Sequence, residues 1–552
     1  MTTGPGQAVV LELSDHRAPA RVVLRHLASG AGTEGRAELW CGPPERVVGW
    51  RRGPFARVDL PPLEPGDHVV EVDGCPVLAF RAEPDRLQRQ VLSDVLAYFR
   101  AMRSTGEIDR KDRVALRWGD ESGLTVDARG GWLDASGDTS KFLSHLTYTR
   151  TMSPQQIPLC AWAMFAAHDV LATTHPALLR SVGARLRDEG LWGADFLVRF
   201  RAPEGYFYTG IFDALTKDLR ERVVTAPLQD SVRTSRYQAA YRHGGGLAIA
   251  ALARASRLDD DGDLPRSRYL DAAVAGFVHL EQHNREYLFD GEESVVDDYT
   301  ALLAAAELVG AGVDAAEPAA RARAAALVAR YVRPEDGPGW FVGDAEGRPF
   351  FHAVEPGLPI LALLRFAELL PDRPEAGPAR ATAVRAMLDV LVRTGGVANP
   401  FGYPRQRTQP VGGAVRDAFF FPHANETGYW WQGENAGIAS FAAAASAVAR
   451  SGVSDDDAAR LDAFAHDQLA WVLGRNPFDA CMLHGKGRNN PEYASDFPNF
   501  PGGIANGVTS GHADEEDVAL LPPDAPEGDR WRWAEQWIPH TGWFLLAVAS
   551  AR

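Results

Sequence analysis

The chain has only 4 cysteines in 552 residues, Cys41, Cys75, Cys160 and Cys481, and no CxxC pair or Cys/His ligand spacing connects them. That scarcity argues against a structural zinc and against a disulfide framework, so free thiols in a reducing compartment are expected. Basic clusters are missing too. At a formal charge of -16, with Lys and Arg scattered, there is nothing to grip a phosphate backbone, and no nucleic-acid partner is expected. The opening residues hold no basic stretch followed by an apolar one, which predicts no signal peptide, and no apolar run of about 18 residues is seen, which predicts no membrane span. A cytoplasmic protein without metal or cofactor is the expectation, and nothing in the pattern indicates an oligomeric state.

What is there is enough apolar material for a large core. Hydrophobic residues make up 45% and charged residues 24%, without low-complexity tracts, which places the chain among folded proteins rather than disordered ones. Its character changes near residue 85. Before that point AVVLELS, ARVVLRHL, AELWCG, ARVDL, HVVEVDG and PVLAFRA are β-rich and separated by Gly, Pro and Asp turns. About seven short strands in residues 1–85 suit a small immunoglobulin-like β-sandwich.

Residues 86–552 are helical in pattern. The spacing predicts about twelve helices, near 86–103, 155–172, 176–198, 239–256, 266–283, 295–309, 318–333, 355–371, 378–394, 431–450, 455–473 and 534–550. In SDDDAARLDAFAHDQLAWVLGRNP, Ser454 can cap the start and Asn476-Pro477 can end the run. Six antiparallel pairs predict a mainly α fold, a closed toroid whose loops line a cleft.

The chemistry sits in those loops. GGWLDASGD brings Asp134 and Asp138 together on an irregular backbone beside Trp132, a ring that can stack on a sugar face. Two such carboxylates can share one water and activate it, although the same residues also suit a solvated turn or a calcium loop. Glu535 lies among Trp531, Trp533, Trp537 and Trp543. Apolar surroundings raise a carboxyl pKa, as a general acid requires, while a helix-start glutamate is the plainer alternative. Carboxylates delivered from distant parts of a chain to one cleft are the equipment for glycosidic-bond cleavage.

The segment FFFPHANETGYWWQGENAG adds His423, Asn425, Glu426, Tyr429, Trp430, Trp431 and Glu434, flat apolar faces mixed with planar hydrogen-bonding groups that suit a carbohydrate. Arg242, His243, His352 and Glu355 fit a supporting or structural role.

These motifs resemble glycoside hydrolase family 9. GGWLDASGD is similar to its GGW-x-DAGD signature, YRHGGGLAIAALARAS to its GGG helix, WVLGRNPF to its YxLGxNP motif, and the Glu535 segment to its C-terminal acid motif. The resemblance implies an (α/α)6 barrel after an immunoglobulin-like module, and inversion. By it Asp138 is the base, Asp134 holds the same water and Glu535 protonates the leaving oxygen, across a gap of about 6.5 to 9.5 Å.

Two departures bear on the substrate. DASGD has one residue more than DAGD, and no PHHR-like element comes after LGRNP. Both resemble the exo-β-D-glucosaminidase branch, which implies release of single residues from short chitosan-type oligosaccharides. Glu426, Glu434, Asp496 and the run Asp514, Glu515, Glu516, Asp517 are then candidates to attract a 2-ammonium group. Hydrolysis of cello-oligosaccharides or endo-β-1,4-glucanase action is the alternative. A polysaccharide lyase and a silent sugar-binding protein are the readings from other classes.

Overall fold

A computed structural model describes residues 6–14, 17–27, 35–493 and 498–552. Six strands open the chain: β1 (Ala8–Glu12), β2 (Val22–Leu27), β3 (Gly35–Leu39), β4 (Phe55–Asp59), β5 (Gly66–Val72) and β6 (Cys75–Ala82). They form two antiparallel sheets, β1-β4 and β3-β2-β5-β6. Val22, Leu24 and Val70 enclose a small core with Val9, Val58, Leu60 and Leu63. Among the described residues the count is six strands, where about seven were expected.

This β module is fused to the helical region by packing. Val47, Trp50 and Phe55 belong to the large core of the helices, where Trp50 packs 5.5 Å from Phe419 and 6.0 Å from Phe401. Arg57 of β4 reaches Asp467 at 3.0 Å. Burial of such a pair is tolerable because each charge keeps its counter-ion.

The remainder of the chain forms fourteen helices among the described residues: α1 (Arg86–Met102), α2 (Gly106–Asp112), α3 (Ile157–Thr174), α4 (Pro176–Arg199), α5 (Gly245–Ala255), α6 (Arg266–Tyr287), α7 (Val295–Gly310), α8 (Glu317–Ala329), α9 (Leu358–Leu369), α10 (Ala376–Thr394), α11 (Asn435–Ala449), α12 (Asp455–Val472), α13 (Trp531–Ala534) and α14 (Ile538–Ser550). All twelve expected helices are present. The two short ones, α2 and α13, are additional, and one or two turns give too little periodicity to be seen in sequence.

Packing closes the ring. Helices α3, α5, α7, α9, α11 and α14 touch in that order and α14 returns to α3, while α4, α6, α8, α10, α12 and α1 each back one of them from outside. This is a double ring of helix hairpins, consistent with an (α/α)6 barrel. Inner helices are apolar on every side because every side is covered, and all 13 residues of α14 are buried. The same physics corrects one expectation: α3 is long and apolar enough to cross a membrane by length and composition, yet 67% of it is buried inside the ring.

Local chemistry sets the ends. At α7, Ser294 and Asp297 form a reciprocal capping box. At α12, the Ser454 hydroxyl accepts from the Asp457 amide, as expected, but the helix stops at Val472 ahead of Asn476-Pro477, and Gly474 with φ of 115° turns the chain away. Because outer helices carry the chain back each time, the inner helices run the same way and their N-termini gather at one end.

Candidate active site

Asp134 and Asp138 lie on a loop fixed from below by a buried charge triad. Asp112 pairs with Lys141 at 2.6 Å and with Arg222 at 2.6 Å, and Lys141 also donates to the Gly130 carbonyl at 2.8 Å. Arg222 reaches on to the Thr139 carbonyl. Two cations against one buried carboxylate hold the Asp112 pKa below its ordinary value despite desolvation. Within the loop, the Ser140 amide donates to Asp138 at 2.8 Å, and Gly137 supplies the left-handed turn with φ of 67°.

The loop is stitched to the C-terminal segment before α14. Ala135 and Trp537 form an antiparallel bridge, the Ser136 amide donates to the Gln536 carbonyl at 2.8 Å, and the Ile538 amide donates to the Asp134 carbonyl at 3.1 Å. Ser136, the extra residue of DASGD, is the brace: its hydroxyl accepts from the Gln536 amide at 2.8 Å and donates to Asn499 at 2.8 Å. The Asn506 amide donates to the Glu535 carbonyl at 2.8 Å. This pairing is what brings residues some 400 positions apart in sequence to one place, roughly as an antiparallel ladder does.

Three carboxyls therefore crowd together, and among the described residues none forms an ion pair. Desolvation and then the charge of Asp138 raise the Asp134 pKa well above its ordinary value, against donation from Trp537 at 3.1 Å and from Gln156. Asp138 is raised by burial and by the charge of Asp213, against donation from Ser140 and the charge of Arg222. Glu535 is driven well above the usual range by burial, then by Asp138 and Asp134. Like charges that cannot all ionise together divide into proton donor and acceptor.

Aromatic faces stand beside them. The Trp430 ring lies 4.8 Å from Trp531 and 6.2 Å from Trp537, and Tyr429 beyond it is 42% exposed. The phenol of Tyr493, half-buried, is raised by desolvation and by the charges of Glu535 and Asp138.

Several expected site residues sit elsewhere. Trp132 is fully buried, donates to Glu189 at 3.0 Å and packs edge-on to Phe99, so it is core and not a sugar platform. Asn425 organises its own loop, donating to the Pro422 and Trp430 carbonyls and accepting from Thr427. Glu426 accepts from the amides of Arg150 at 3.0 Å and Thr151 at 2.6 Å, joining two loops. Glu434 is buried, accepts from the Phe421 amide, and desolvation pushes its pKa up to about 8. His423 stacks on Trp431 at 3.9 Å, its Nε2 is 2.7 Å from the Ser510 hydroxyl, and Arg532 covers the Trp431 ring at 4.0 Å.

The acids suggested for a 2-ammonium group are likewise engaged. Arg416 meets Glu515 and Glu516, and Arg51 meets Asp514 and Asp517, while Asp496 lies outside the described residues. Arg242 pairs with Asp290 and Asp297, and Glu355 accepts from Tyr299 at 2.6 Å. His243 and His352 are buried. Those four are structural. Conversely, Asp213, Gln156, His145, Asn506 and Tyr493 border the acids without having been anticipated, since no motif spacing ties them to DASGD. No group of three or more His, Cys, Asp or Glu among the described residues could hold a metal ion.

A toroid of helix hairpins that gathers uncompensated carboxyls beside aromatic rings at one end is the frame of a sugar-cleaving enzyme. The family model for glycosyl hydrolase family 9 matches residues 89–338, a span that includes Asp134 and Asp138. That match supports a glycosidase. Among solved structures, the GH family 9 endoglucanase J30 is similar at 18% identity, with 100% of both chains covered and a TM-score of 0.64. An endoglucanase from the termite Nasutitermes takasagoensis is similar at 16% identity over 84% of this chain and 98% of its own, with a TM-score of 0.53. Endoglucanase CelQ from Clostridium thermocellum, complexed with cellotriose, is similar at 15% identity over 83% of this chain and 69% of its own, with a TM-score of 0.52. These likenesses show the fold. No curated protein matches the chain.

Proposed function

We propose that the chain is an inverting glycoside hydrolase that cleaves β-1,4-linked glucan chains of the cello-oligosaccharide type. The observation that carries this reading is the cluster of Asp134, Asp138 and Glu535 without a cation among them, in which Glu535 is driven well above its ordinary value. Glu535, its pKa raised by burial and by its two acidic neighbours, delivers a proton to the leaving oxygen. Asp138, held by the Ser140 amide, takes a proton from the attacking water, and Asp134 orients that water.

The glucan substrate is supported by the family-9 match and by neighbours that are endoglucanases. A glucosamine substrate is supported by the DASGD spacing and the missing PHHR-like element, while the described acids suggested for the ammonium group are engaged or buried. We read the β module as immunoglobulin-like, supported by its two antiparallel sheets, and place the enzyme in the cytoplasm, supported by four unpaired cysteines.

Incubation with cello-oligosaccharides and with chitosan oligosaccharides of two to six residues, with products separated by chromatography, tests the reading. Cleavage of the glucans is expected. Cleavage of the amino sugars alone would move the substrate to glucosamine, and cleavage of neither series nor of other β-glycosides would remove the hydrolase.

A further inference from the structure

Asp134 is held by a hydrogen-bond chain that runs away from Asp138. One of its oxygens, Oδ1, accepts from the Trp537 indole and from the Gln156 side-chain amide, which leaves Oδ2 for the water. Gln156 is the last residue before α3, and its Oε1 lies 2.9 Å from Nδ1 of His145. A glutamine amide presents N–H on one side and C=O on the other. With its N–H spent on Asp134, Gln156 can offer His145 only a carbonyl, so Nδ1 must carry the proton.

His145 suits that task. It is enclosed by Trp430 at 4.5 Å, Trp537 at 5.5 Å and Phe142 at 5.6 Å, and its Nε2 is buried without a partner among the described residues. Burial lowers its pKa to about 4, so the ring is neutral at working pH with one hydrogen to give.

We propose that His145 is a positioning residue that locks the Gln156 amide and, through it, the orientation of Asp134. The proposal rests on Asp134 being the carboxylate that holds the attacking water. Without the His145 donor, Gln156 is free to turn its oxygen toward Asp134, setting two acceptors face to face and removing one of the two donors on Oδ1. Titratable groups facing Asp134 are Asp138 on its own loop, Glu535 before α14, Tyr98 of α1 and Cys160 of α3. Among the described residues only Gln156 and Trp537 donate to the Asp134 carboxylate, and none of these four bonds to it, so none replaces the lost donor.

The test compares His145→Leu with His145→Asn, whose side-chain amide nitrogen falls close to where Nδ1 was. On the oligosaccharide that the wild type cleaves, the leucine variant is expected to lose about 10- to 100-fold in kcat with KM little changed. Its acid limb should move to higher pH, because an Asp134 deprived of a donor holds its proton more tightly. The asparagine variant should recover most of that loss. Equal impairment of both variants, with the acid limb unmoved, would overturn the proposal. Two spectroscopic readouts need no turnover. Carboxyl 13C NMR of labelled aspartate, assigned with Asp134→Asn, should show Asp134 titrating higher in the leucine variant only, and an unmoved Asp134 overturns the proposal. In the wild type, 15N NMR should find His145 protonated on Nδ1, and the Nε2–H tautomer would overturn it even if neither variant folds. A wild type that cleaves no glycoside removes the hydrolase reading instead, and the spectra still decide the hydrogen-bond chain.

Discussion

Two sets of buried acids in this molecule meet opposite fates. Asp112 and Glu307 are clamped by cations, Asp112 by Lys141 and Arg222, Glu307 by Arg254 at 2.6 Å, Arg365 at 3.0 Å and Arg257 at 3.7 Å, and both are held below their ordinary pKa. Asp134 is buried and Asp138 and Glu535 are partly buried beside it; they have one another instead, and all three are raised. Burial alone is thus no guide to role. The cation count separates a carboxylate that ties helices and loops together from one kept reactive, and Lys141 links the two sets, bonded to Asp112 while anchoring the loop that bears Asp138.

The largest effect expected from this contrast is catalytic. Glu535→Gln removes the transferable proton and should lower kcat by roughly 10²- to 10⁴-fold on a substrate with a poor leaving group, while the fold is kept. The pH profile of wild-type kcat/KM should be a bell. Its acid limb reflects deprotonation of the raised Asp134 and Asp138 and therefore lies above the ordinary aspartate range, and its alkaline limb reflects loss of the Glu535 proton. A profile that stays flat through neutral pH and declines only below the ordinary carboxylate range would break the assignment.

Next in size is the clamped set. Asp112→Ala leaves Lys141 and Arg222 buried without their shared counter-charge and should cost about 3 to 5 kcal/mol in chemical denaturation. Since the folded pKa of Asp112 is lowered, its contribution is present above the ordinary aspartate range and is lost as pH falls through that lowered value. Trp132→Phe, which deprives Glu189 of the indole donor, should cost about 1 to 3 kcal/mol of stability and leave KM unchanged. A selective rise in KM would return Trp132 to the sugar site.

The smallest effect has the opposite sign. Asp134 is raised, so its favourable contribution is complete below the ordinary aspartate range and is lost as pH rises through the raised folded value. Asp134→Asn should therefore abolish turnover yet stabilise the protein by about 1 kcal/mol at pH 7, with the gain closing as pH falls through the raised value toward about 4. Destabilisation at pH 7 would place Asp134 with the clamped acids.

The outer helices were legible in the sequence because their apolar faces repeat over several turns and the inner ones because they are long apolar, Ala- and Leu-rich runs, and α2 and α13 escaped because they are too short for either. Asp134, Asp138 and Glu535 were legible as motifs. Their neighbours were not, since His145, Gln156, Asp213 and Asn506 arrive through ring closure from separate loops and helix starts. Trp132 was misjudged for a related reason. A tryptophan beside an acid looks like a sugar platform, but Trp132 bridges Arg103, and its ring lies over Gly193 of α4, where an added Cβ would come within 2.5 Å. Glu426 and Glu434 misled similarly. Their carboxylates serve backbone amides that no sequence pattern displays.

The central claim is that Asp138 activates a water on one face of the sugar while Glu535 protonates the leaving oxygen on the other. The direct test is 1H NMR of the first product formed from a cleaved β-linked oligosaccharide, recorded before mutarotation. The account predicts that the α-anomer appears first. Initial appearance of the β-anomer would contradict it.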